Sequence, residues 1–157
     1  MRSLKLALAL LLSFCTSSAI SAPPAALGKI HGRIIWVDFW ASWCAPCRRS
    51  FPWLNEMYRK YSGQGLQIIA VNVDSDKSAA DKFLDQTPAD FTVKFDPKGK
   101  LAERFNVRAM PSSYVLDPAG HILQRHLGFR LSDEHKYEEQ IWAALSAQKK
   151  EAKHTSP

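Results

Sequence analysis

The first clear pattern is an apolar run, Ile34 to Trp40, broken only by Asp38. Unalternated stretches of this length belong to strands covered on both faces. A helical pattern follows from Ala45 to about Tyr61, with Leu54, Tyr58 and Tyr61 at helical spacing and Pro52 inside as an expected kink. Ser62-Gly63-Gln64-Gly65 ends it, and Leu66–Val73 reads as a second buried strand. Asp76 to Gln86 predicts a short amphipathic helix with Ala79, Phe83 and Leu84 inward. Phe91–Phe95 alternates like a strand, Asp96-Pro97-Lys98-Gly99 is turn chemistry, and Leu101–Phe105 fits a short helix. Ser113–Leu116 and Ile122–Leu127 flank the turn Asp117-Pro118-Ala119-Gly120, a hairpin signature. A closing helix starts near Ser132 and turns Tyr137, Ile141, Trp142 and Leu145 inward. Strand–helix–strand–helix–strand–helix–hairpin–helix is an α/β layer order.

The two ends change the picture. Residues 1–22 carry Arg2 and Lys5, then apolar Leu6 to Phe14, then small residues, the order of a cleaved secretory leader. That apolar core is too short to span a membrane comfortably, so no stable insertion is expected after cleavage; the alternative is an uncleaved leader that tethers the domain to the membrane. Residues 23–32 form a Pro/Ala-rich flexible lead, residues 33–148 one domain, and residues 149–157 a charged tail. The formal net charge is +6, two units of it from Arg2 and Lys5. No basic-aromatic array of the kind nucleic-acid modules use accompanies it.

Of three cysteines, Cys15 lies in the leader, which leaves Cys44 and Cys47 for the exported chain. A framework of several bridges is therefore excluded. A bridge across so short a loop restrains the unfolded chain little, so chemistry is the better reason for the pair. Half a zinc site is the alternative, but no second C-x-x-C or H-x3-H follows. Two thiols just after a strand, at the mouth of a helix, suit reversible exchange: the helix N-terminus stabilises a thiolate, and a second thiol resolves the mixed disulfide.

Trp43-Cys44-Ala45-Pro46-Cys47 after Val37-Asp38-Phe39-Trp40, with Pro52, Met110-Pro111 and Gly128, resembles the thioredoxin superfamily, and more narrowly the exported TlpA- and ResA-type reductases. The likeness covers roughly residues 33–145, with Asp76–Phe95 similar to the helix-and-strand insertion of TlpA-type chains. It implies a central mixed sheet flanked by helices, with Cys44 as nucleophile and Cys47 as resolving thiol. Pro111 would be a cis proline that offers the backbone of Met110 to an extended substrate. Asp38, buried on its strand, would have a raised pKa suited to moving the proton of Cys47. Trp43 would shield the thiolate and touch substrate, and Pro46 would tune closure of the bridge. Trp40, Trp53 and Trp142 are expected in packing. The chain departs from thioredoxin at Ala70, where thioredoxin has a lysine near its buried aspartate.

The expected activity is reduction of protein disulfides in the periplasm, with substrates of the cytochrome c maturation or metalloprotein assembly type. No flavin, nicotinamide or metal motif is present, so a membrane thiol protein would supply the electrons. An oxidant or isomerase on the same fold is one alternative, since redox poise decides direction. A non-catalytic chaperone or metal carrier is another. A peroxidase would need a threonine or arginine constellation that the sequence does not show.

Overall fold

The structure is a computed structural model that describes residues 27–28 and 33–154. The expected leader and residues 23–26, 29–32 and 155–157 lie outside the described residues. The apolar run is strand β1 (Ile34–Trp40), and all seven of its residues are buried. It is followed by α1 (Ala45–Tyr61), β2 (Leu66–Asn72), α2 (Lys77–Gln86), β3 (Thr92–Phe95), α3 (Lys100–Arg104), β4 (Ser112–Leu116), β5 (Ile122–Leu127) and α4 (Glu134–His154). The sheet order is β3-β2-β1-β4-β5. β1 pairs parallel with β2 and antiparallel with β4; β3 joins β2 in parallel, and β4 and β5 form the hairpin. This is the thioredoxin arrangement, with α2 and β3 added at one edge.

Alternation along β1 divides the core into two layers. Ile34, Trp36 and Trp40 face one layer with Phe51 and Leu54 of α1, Phe83 of α2, and Tyr137, Ile141 and Leu145 of α4. Ile35, Val37 and Phe39 face the other, with Phe105, Tyr114 and Leu116. Period two therefore puts Asp38 in the first layer, beneath α1. Burying each large apolar side chain contributes about 1.5–3 kcal/mol, so this single strand anchors both layers.

Several boundaries differ from the pattern for local reasons. Asp76 is the cap of α2, not its first residue: its carboxylate accepts from the Ser78 N–H at 2.9 Å and the Ser78 hydroxyl at 2.7 Å. The buried residues of α2 are Ala80 and Phe83, so Ala80 replaces Ala79 on the inner face. Phe91 precedes β3 and is buried against Phe51, with ring centroids 5.5 Å apart. α1 continues through Pro52. α4 runs to His154, so residues 149–154 extend the helix into the segment assigned to the tail. Trp142 corrects an expectation of packing: it is 61% exposed, because the inward row is Tyr137, Ile141, Leu145 and Trp142 falls on its flank. Among the described residues, no helix is long and apolar enough to cross a membrane.

Candidate active site

The site lies where the central strands end. β1 stops at Trp40, a turn carries Ala41-Ser42-Trp43, and Cys44 caps α1. Cys44 has extended backbone (φ −83°, ψ 105°), and the Cys47 N–H points at its Sγ at 3.3 Å. The sulfur thus holds the place that a serine or aspartate oxygen takes at most helix starts. Cys44 and Cys47 are joined as a disulfide, with Cα atoms 5.3 Å apart. Pro46 fits the first turn because its missing N–H has no partner to lose there. The first turn of α1 has no acidic residue, and Arg48 and Arg49 follow the second cysteine. Helix dipole and side-chain charge therefore both favour a thiolate at Cys44 once the bridge opens. Cys44 keeps 4% of its surface exposed and Cys47 none, an asymmetry that leaves the first sulfur the reachable one.

The register brings the second expected element to the same end of the sheet. Phe39 pairs with Ser112, so Pro111 lies just past the point where β1 turns toward the cysteines. The Met110–Pro111 bond is cis. The Gly128 N–H donates to the Pro111 carbonyl at 2.8 Å, and the Ser112 hydroxyl donates to Ala109 O at 2.7 Å. Gly128 has φ +75°, a conformation glycine adopts without strain. Met110 is half-buried and packs against both core layers. Trp43 is 73% exposed, beside the buried sulfurs.

Asp38 pairs with Ala70 on one side and Ser113 on the other. The Ser113 hydroxyl donates to its Oδ1 at 2.6 Å, while Oδ2 is buried without a partner. Burial pushes its carboxyl up to about 7, against the opposing pull of Ser113 and of the Trp36 indole nearby. The Trp36 N–H faces this group without reaching hydrogen-bond geometry. With alanine opposite it in β2, no cation among the described residues offsets the burial.

One set of positioning residues was missed in the sequence. Asp74, just past β2, accepts from the Ser42 N–H at 2.9 Å, the Ser42 hydroxyl at 3.1 Å and the Asn72 amide at 2.7 Å. Arg48 donates to the Ser42 carbonyl at 3.1 Å. The turn before Cys44 is therefore held through Ser42 from both sides. The polar Asn72 and Asp74 at the end of an apolar strand were the available signal.

Residues 18–125 match the family described as AhpC/TSA. The chain belongs to the AhpC/TSA family. Among curated relatives, this AhpC/TSA chain is similar to thiol-disulfide oxidoreductase ResA of Oceanobacillus iheyensis: 31% identical over 96 residues, 61% of this chain and 50% of the relative. It spans about half to three fifths of the length of the curated relatives it matches. Among solved structures it is similar to a thiol:disulfide interchange protein DsbE from Chlorobium tepidum, 50% identical with TM-score 0.74, covering 76% of this chain and 84% of that one. StoA of Bacillus subtilis, 22% identical with TM-score 0.62 over 69% of this chain and 82% of that one, shares the fold.

Proposed function

We propose that this protein is an exported thiol–disulfide oxidoreductase that reduces disulfides in other proteins. The observation that carries the reading is the Cys44–Cys47 bridge at the mouth of α1, with the Cys44 sulfur facing the Cys47 N–H. In the reduced protein, the Cys44 thiolate attacks one sulfur of a substrate disulfide and displaces the other as a thiolate, which takes a proton. Cys47 then loses its proton and attacks the Cys44 sulfur, which re-forms the bridge and frees the second substrate thiol. Two electrons pass from the dithiol to the substrate, and another thiol protein must return them. Asp38, with its carboxyl near neutrality and on the sheet face beneath α1, is the group assigned to the Cys47 proton. Trp43, Pro46, Met110 and Pro111 form the surface that receives the substrate.

The leader-like residues 1–22 support action in the periplasm, and the ResA and DsbE names of the relatives support disulfide proteins as substrates. The finer assignments, to cytochrome c maturation or metalloprotein assembly and to a membrane thiol donor, come from the TlpA/ResA resemblance.

Trapping tests the reading. Cys47→Ala produced in its native compartment should accumulate mixed disulfides through Cys44 that dithiothreitol releases. If nothing is captured, a binding module becomes the better account. The equilibrium potential of the pair against glutathione sets direction: a value well below the glutathione couple fits a reductase, and one near that of a strong oxidant reverses the assignment.

A further inference from the structure

Beside the disulfide, on the side of the added helix α2, lies an open groove of about 310 Å³. Ser42, Trp43 and Arg48 form its near wall, and Ala79, Lys82, Phe83 and Gln86 of α2 its far wall. The spacing 79, 82, 83 and 86 places one face of α2 toward the motif turn. Trp43 presents an indole at the rim immediately before Cys44, and aromatic side chains exposed beside a reactive centre are the type that anchors partners. The Arg48 guanidinium lies over the Phe83 ring, 5.1 Å from its centroid, and is fixed by its bond to the Ser42 carbonyl. Its position is thereby set rather than free to sweep solvent.

Charge selects the occupant. Two cations, Arg48 and Lys82, line the groove; the carboxylate behind its near wall, Asp74, is buried and engaged by the Ser42 N–H and hydroxyl and the Asn72 amide. Asp76, at the start of α2, is engaged by Ser78, whose N–H and hydroxyl take its two oxygens. Asp81 is engaged by Lys77 on another face of α2. A chain whose cysteine is joined to Cys44 must carry its neighbouring residues close to the exposed Trp43, and the groove opens beside that side chain.

We propose that the groove seats an extended acidic stretch flanking the target cysteine of a protein disulfide, with Trp43 contacting the backbone beside the cysteine and Arg48 and Lys82 pairing with the carboxylates. The proposal rests on the oxidoreductase reading above and gives it a substrate class. Preference would come from the two cations at the groove, not from the positive charge of the chain as a whole.

Single-turnover reduction of three symmetric peptide disulfides by the fully reduced protein tests it. The peptides differ only in the two residues beside each cysteine, Glu-Glu, Gln-Gln or Lys-Lys, and the freed peptide thiol is followed at low ionic strength. The acidic peptide should react roughly three- to tenfold faster than the neutral one, and the basic one slowest, with the spread shrinking in high salt. Lys82→Glu leaves one cation and one carboxylate at the groove and should erase the preference while the neutral peptide keeps its wild-type rate, a result that a misfolded variant does not give. Lys150→Glu, the same charge change at the exposed end of α4, should keep the wild-type order. Equal rates for the three peptides with the wild-type protein, or a loss of preference in Lys150→Glu as large as in Lys82→Glu, overturns the groove proposal while the oxidoreductase reading stands. Failure to free thiol from any peptide overturns both.

Discussion

The two faces of β1 are built to different rules. The face toward Phe105, Tyr114 and Leu116 takes only apolar side chains from β1; of the polar groups beside them, the Ser112 and Tyr114 hydroxyls are engaged and Gln67 Oε1, next to Ile35 in β2, is buried without a partner. Tyr114 donates to Phe105 O at 2.8 Å and accepts from Arg125 at 2.9 Å. The face toward α1 buries Asp38 and leaves Asp38 Oδ2, Trp36 Nε1 and Trp40 Nε1 without partners. Unpaired polar atoms in a core lower stability by about 1–3 kcal/mol each, so the face toward α1, which buries a carboxyl and both indoles, gives up more than the other. The cysteines lie on that second side. One layer holds the sheet together, and the other gives up stability where proton and sulfur chemistry is proposed.

Substitutions sharpen this contrast, beginning with the largest expected effect. Phe39→Ala empties a fully buried site against Phe105 and Tyr114 and should destabilise the oxidised protein by about 3–5 kcal/mol in urea unfolding. The loss should be nearly the same at pH 5 and pH 8, because no shifted group is removed. A strongly pH-dependent loss would contradict the division into two faces.

Asp38→Asn should do the opposite. The folded protein holds the Asp38 proton up to about pH 7, whereas an unfolded aspartate releases it near pH 4. Between those values the folded state binds more protons, so stability falls as pH rises and levels off above the folded value. The asparagine variant should therefore be more stable than wild type at pH 8, by up to about 4 kcal/mol, with the difference fading toward pH 4. Re-formation of the bridge after substrate attack should slow at the same time. A variant less stable than wild type at pH 8 would remove Asp38 from its assigned place.

Two smaller effects follow. Tyr114→Phe should lower stability by about 1–3 kcal/mol without changing the pH profile, since it removes the bond to the Phe105 carbonyl and the one accepted from Arg125, neither of them to a group that titrates between pH 5 and pH 8. Ser113→Ala removes a donor that favours the charged carboxylate, so the pH at which stability levels off should move upward from that of wild type. A downward move would mean that the hydroxyl is not the partner that matters.

Much of this was legible in residue order. β1 showed itself because a strand covered on both faces has no alternation to blur, and Cys44 and Cys47 because few structural roles need two thiols so close. The inner row of α4 was read one residue too wide at Trp142, since an aromatic beside Ile141 looks apolar in any window while only the 137-141-145 row faces the sheet. Asp76 and Ala80 show related limits: a capping side chain reads as the first helical residue, and two adjacent alanines, Ala79 and Ala80, give the pattern no means of choosing the buried one. Asp74 was missed for a different reason. Its partner Ser42 is 32 residues away, and only the pairing of β1 with β2 brings the two turns together. The charge of the groove depends in the same way on α2 folding back beside the motif.

That distant tie has a practical outcome. With Ser42 gripped by Asp74 on one flank and Arg48 on the other, the turn before the reactive sulfur resembles a vice jaw more than a hinge. On the proposed exchange with protein disulfides, partners that are loosely folded around their own bridge would meet such a jaw readily. Those whose bridge is embedded in a rigid core would have to unravel locally before they could be served.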